Sequence, residues 1–111
     1  MVTSRAIRIL VLKEGAGSGW VAQCLEYDIA AQGPSIRAAI ENFRDVFQGQ
    51  IALDLKKNRE PMAGKKQAPP WYWQALEDAE PLRNPITLNL SKRSWLSFLG
   101  FGLTTAKAWV H

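Results

Sequence analysis

Alternation governs the first part of the chain. From Arg5 to Lys13, RAIRILVLK sets Ile7, Ile9 and Val11 against Arg8, Leu10 and Leu12, the two-residue period of a strand. EGAGSG, Glu14 to Gly19, follows with three glycines able to adopt positive φ, which predicts a hairpin connection. A glycine-rich loop can also hold phosphate, but no Lys-Ser or Lys-Thr pair follows and no helix begins there, so the hairpin is the better reading. Trp20 to Glu26 alternates again, with Trp20, Ala22 and Cys24 opposite Val21, Gln23 and Leu25. Tyr27 and Asp28 are expected to form a turn, and Ile29 to Gln32 a short third strand. Gly33-Pro34 ends it, because proline offers no N–H to a ladder and glycine permits a sharp change of direction.

The period then lengthens. Behind Ser35 as N-cap, Ile36, Ala39, Ile40, Phe43, Val46, Phe47 and Ile51 recur at helical spacing, predicting a helix over 35–57. Arg37, Glu41, Asn42, Arg44, Asp45 and Gln48 fall largely on its other side. Phe43 and Phe47, at i and i+4, suit packing against a sheet. A basic stretch containing KKNREPMAGKK reads as a solvated linker over 58–70. Pro69 and Pro70 introduce a short helix over 71–80, stopped by Pro81. ITLNL predicts a last strand over 86–90, and 91–111 is expected to be a C-terminal tail whose final dozen residues are flexible or ordered by a partner.

These elements predict an α+β fold. Its order is β-β-β-α-β: a three- to four-stranded, mainly antiparallel sheet with one long helix packed on one face and a short second helix. One domain is expected over 1–90, with its core over 5–57.

Composition narrows the classes. With 111 residues, 47% hydrophobic and 22% charged, the chain suits one modest globular core. A formal net charge of +4 permits attraction to nucleic acid or to an acidic surface without requiring either. The lone Cys24 cannot form an internal disulfide, which fits a reducing, cytoplasmic setting. The run ILVL is shorter than the core of a secretion signal, and the nine apolar residues of WLSFLGFGL fall below the ~20 that a membrane-spanning helix needs.

Glu26 and Asp28 raise the question of catalysis. A metal-dependent nuclease of the RNase H type needs several carboxylates converging from different strands to clamp its cations. Here two acids share one strand end, while Glu41 and Asp45 lie on the outer side of the helix. The alternative is two acids in a solvated turn. His111, the only histidine, is the last residue, a poor position for a fixed general base, and Cys24 reads as a small apolar side chain. No nucleotide motif and no Cys/His metal cluster occurs, so no cofactor and no metal are expected, and the chain reads as a binding or structural domain before an enzyme. Lys65 and Lys66, near Trp71 and Trp73, form a candidate nucleic-acid surface, since bases stack on rings while lysines track phosphates. The same tryptophans could simply cover an open face of the core.

WVAQCLEYDIAAQG followed by PSIRAAIENF resembles the HicB-like antitoxin domain. The resemblance spans about 5–57 and is carried by Trp20, Val21, Ala22, Gln23, Leu25, Glu26, Ala30, Gln32, Gly33, Ser35, Ala39, Ile40, Asn42 and Phe43. It implies a truncated, degenerate RNase H-like fold without nuclease function. It also implies a homo-oligomer, dimer or tetramer, that binds and neutralises a small HicA-like mRNA-cleaving toxin. Two departures stand out. Arg37 and Ala38 occupy positions where the family usually carries acids, and too few residues follow Asn84 for a complete ribbon-helix-helix, which leaves DNA binding open. Gln23, Glu26, Asp28 and Gln32 are the expected partner contacts. The alternative function is a solitary HicB-like oligomeric module without a toxin, associated with nucleic acid through Lys65, Lys66, Trp71 and Trp73.

Overall fold

The structure, a computed structural model, describes residues 5–14, 17, 19–60, 62–82 and 103–111. It is an α+β fold: a mixed five-stranded sheet with a long helix packed against it and a short second helix. In chain order the elements are β1 (Arg5–Lys13), β2 (Trp20–Cys24), β3 (Ala30–Gly33), α1 (Ile36–Lys56), α2 (Pro70–Glu77), β4 (Glu80–Pro81) and β5 (Leu103–Val110). Across the sheet the strands run β3-β2-β1-β5-β4.

β1 occupies the centre because both of its edges are paired. On one side it runs antiparallel to β2, with Ile9 opposite Cys24 and Val11 opposite Ala22. On the other it runs parallel to β5, with Ile9 beside Ala108 and Val11 beside Val110, after a register irregularity at Arg5 and Ala6. The ladder continues beyond β5, where the His111 amide donates to the Val11 carbonyl at 3.0 Å. β3 and β4 form the two edges. β4 is only two residues long and includes Pro81, a residue tolerated where no neighbour needs its N–H.

The alternating residues of β1 and β2 separate onto two faces. Ile7, Ile9, Val11, Ala22 and Cys24 join Ala39, Phe43, Phe47 and Ile51 of α1 in one buried cluster. Each large side chain removed from water there contributes roughly 1.5–3 kcal/mol. The Phe43 and Phe47 rings lie 5.4 Å apart, tilted by 30°, as their one-turn spacing implies. Leu10 and Leu25 belong to the opposite face, yet both are fully buried, so neither face of the sheet's centre is bare.

Ser35 caps α1 as its sequence position predicts, its Oγ accepting from the Ala38 amide at 3.0 Å. The first turn contains no acid, while Lys56 in the last turn complements the negative end of the helix. At α2, Pro70 occupies the first turn, where its missing N–H costs nothing.

Several boundaries differ from expectation. β2 stops at Cys24, before Glu26, because the turn closes early: the Cys24 amide donates to the Ile29 carbonyl at 2.9 Å. α2 ends at Glu77, with Asp78 as its cap, so 78–79 leads into β4, which takes up Glu80, and 78–80 is not helical. The C-terminal tail expected over 91–111 is corrected at its far end, where Leu103–Val110 form β5 beside the central strand. What orders it is pairing along β1, aided by burial of Ala108. The last strand expected over 86–90 lies outside the described residues. Gly33 is also explained differently: a Cβ there would lie 2.5 Å from the Ala39 nitrogen, so close approach to α1, and not backbone conformation, requires glycine.

Candidate functional site

The turn from β2 into β3 holds three of the four expected contacts in or beside it, and internal bonds reach all three. Gln23 is buried at 3% exposure. Its Nε2 donates to the Cys24 carbonyl and to Asp28 Oδ1, both at 2.9 Å, which ties the last residues of β2 to the turn. Glu26 reaches back to β1: its carboxylate accepts from the Arg8 amide at 2.6 Å and from Arg8 Nε at 2.7 Å. A backbone bond from the Leu25 amide to the Arg8 carbonyl, 3.0 Å, makes this junction tighter still. Gln23 therefore serves as an internal brace of the turn, with little surface exposed. Glu26 is a β1 clasp whose side chain is 19% exposed.

Asp28 and Gln32 face solvent. The Asp28 amide donates to the Lys66 carbonyl at 2.7 Å, and the Ala68 amide to the Leu25 carbonyl at 2.9 Å, so residues 66–68 run alongside the turn. Gln32 lies on β3, the sheet edge, and its Nε2 makes a long contact of 3.3 Å with Glu14. Asn42 of α1 caps that edge by donating from Nδ2 to the Gln32 carbonyl at 2.7 Å. Val46 and Leu53 on α1 are 46% and 42% exposed. Seven residues apart, they share one flank of the helix.

The second candidate surface divides. Trp71 is 53% exposed and stacks on Tyr72, with ring centroids 3.6 Å apart. Trp73 points elsewhere: the Arg8 guanidinium sits 4.6 Å over its ring, and its Nε1 is enclosed without a hydrogen-bond partner. Glu26, Arg8 and Trp73 thus form a column linking the turn, β1 and α2. Lys65, Lys66 and Trp71 are exposed, whereas Trp73 is half-buried with Arg8 over its ring.

Sequence reasoning missed Asp54. This acid is 2% exposed, and its carboxylate accepts from Gln50 Nε2, from the Met62 amide and from Arg59. The signal was available: Phe47, Ile51 and Asp54 follow one apolar stripe, and a charge in such a stripe requires buried partners.

Cys24 sits in the core. Burial, aided by the nearby Glu26 carboxylate and opposed by a backbone hydrogen bond from Tyr27, pushes its thiol up to about 12 from an ordinary 9.0. Because the folded value is raised, the protonated thiol's contribution to stability is complete below about pH 9 and declines as pH rises from there towards about 12. At pH 8 the native thiol is expected to resist a maleimide that labels it promptly in urea. Equal rates in both states, followed by mass spectrometry, would contradict its burial.

Among the described residues, no group of three or more His, Cys, Asp or Glu side chains is placed to hold a metal ion. None of the described helices is long and apolar enough to cross a membrane. No family model, curated protein or solved structure matches the chain.

Proposed function

We propose that this chain is a HicB-like, antitoxin-type interaction protein that binds and neutralises a small HicA-like mRNA-cleaving toxin in the cytoplasm, acting as a homo-oligomer. The observation that carries the reading is the use made of the turn acids. Glu26 is held by Arg8 and Asp28 by Gln23, so the residues that first suggest nuclease chemistry serve as braces. The segment carrying the family resemblance also falls on one continuous unit, β1 to α1. What this unit offers a partner is surface: Asp28 in the turn and Gln32 on the edge strand, with Val46 and Leu53 exposed on α1. A basic, RNA-cleaving partner would meet the Asp28 carboxylate there.

The test is co-expression with the HicA-like toxin of the neighbouring reading frame. A stable complex and relief of growth arrest are expected. Asp28→Lys combined with Gln32→Ala should weaken the complex about tenfold or more, through like charges brought together. Glu26→Ala should instead lower the melting temperature while leaving affinity within about threefold at low temperature, since its partner is Arg8. No complex and no relief would overturn the reading.

A further inference from the structure

The chain's positive charge is unevenly spent. Arg8, Arg37, Arg44 and Arg59 each pair with a carboxylate, respectively Glu26, Glu41, Asp45 and Asp54. Lys56, Lys57, Lys65 and Lys66 are exposed and take part in no ion pair among the described residues. Glu60 is the acid lying between the two lysine pairs in sequence.

The backbone that carries these lysines is fastened. Met62 donates to Asp54, Lys65 donates to the Met62 carbonyl at 3.2 Å, and Lys66 accepts from Asp28. The next fixed point is Ala68, bonded to Leu25, after which Pro69 and Pro70 lead directly into Trp71. Five residues separate Lys66 from Trp71, so their backbones lie within roughly 18 Å of each other. Trp71 stacks on Tyr72, and at 53% exposure it still presents much of its surface to solvent.

We propose that this surface binds single-stranded nucleic acid, with Lys65 and Lys66, supported by Lys56 and Lys57, along the phosphates and Trp71 stacking on a base. Unpaired lysines supply a sequence-independent attraction for phosphate, and a ring backed by a second ring is a rigid platform for a base face. An acidic peptide would satisfy the lysines but would leave Trp71 without a flat partner. The inference is independent of the toxin reading, because Asp28 and Gln32 are not needed for it.

The experiment is fluorescence anisotropy of a labelled oligouridylate and an oligodeoxythymidylate titrated with the full chain at several salt concentrations. Affinity should fall with salt, and changing both Lys65 and Lys66 to alanine should reduce the logarithmic slope by about 1.4, the value for two phosphates of a single strand. Trp71→Ala should weaken binding about tenfold and Trp71→Phe should restore most of it, whereas Trp73→Phe should have no effect. Lack of binding at low salt, identical behaviour of all variants, or displacement by polyglutamate as efficient as by unlabelled oligonucleotide would overturn the proposal. Retained capture of the toxin by the lysine and Trp71 variants separates this result from the fate of the antitoxin reading.

Discussion

Replacing Asp54 by alanine is expected to cost the fold about 3 kcal/mol, measured as the change in unfolding free energy by urea titration. The size follows from what the carboxylate holds. It accepts from Gln50 Nε2 at 2.9 Å, from Arg59 at 3.1 Å and from the Met62 amide at 2.9 Å. Arg59 is half-exposed and can return to water, so its ion pair adds little. The Met62 amide cannot, because Met62 is 2% exposed, and an orphaned buried donor costs roughly 1–3 kcal/mol. Losing a bond to a charged acceptor raises the total. The loop adds a further demand: Asn58 at φ 55° and Met62 at φ 66° occupy the left-handed region, which a side chain such as methionine adopts at a cost of roughly 1–2 kcal/mol. Asp54 offsets that cost through the amide of the strained residue itself. Asp54→Asn should recover part of the loss, since the amide oxygen can still accept from Met62. A change below about 1 kcal/mol for Asp54→Ala would mean that the loop is held by something else.

Gly33→Ala is expected to be nearly as damaging. The added methyl would lie 2.5 Å from the Ala39 nitrogen, 2.7 Å from the Ala38 carbonyl carbon and 2.9 Å from the Ala39 Cα. All three are backbone atoms of the first turns of α1, so relief requires moving the helix off the sheet edge. Overpacking of this kind typically costs about 1–3 kcal/mol, and the rigidity of the neighbours places this site at the upper end, a fall of roughly 10–20 °C in Tm. Gly49 supplies the opposite result. It lies within α1, and a Cβ added there would meet nothing within 4 Å, so Gly49→Ala should stabilise by about 0.5–1 kcal/mol through helix propensity. If both changes moved Tm the same way, close approach would not be the reason for Gly33.

The elements legible in the sequence are those defined by local period. Alternation in 5–13 and the Ser35-capped apolar stripe announce β1 and α1 because each buries one side against the same core. β5 was opaque because the small Ala108 and the modest Val110 face that core, giving little contrast, and its partner β1 lies far away in sequence. A turn at Tyr27 and Asp28 was legible, but not its wider extent from Leu25 to Ile29 nor its internal commitments: the partner of Glu26 is Arg8, eighteen residues upstream. One separation could have been read directly. Trp71 and Trp73 are two residues apart on a helix, hence about 200° apart around its axis, and cannot present their rings on one side.

The place of β5 also sets an order of events. The connection between β1 and β2 spans six residues, whereas β5 begins about 90 residues beyond the end of β1. Closing the longer loop costs about 2 kcal/mol more in chain entropy, so the hairpin and the helix-capped edge are favoured to assemble first. Until β5 arrives, one side of the central strand, with its full row of backbone donors and acceptors, stands open to any passing chain. In a protein made from one end to the other, that interval lasts until the ribosome has delivered Val110.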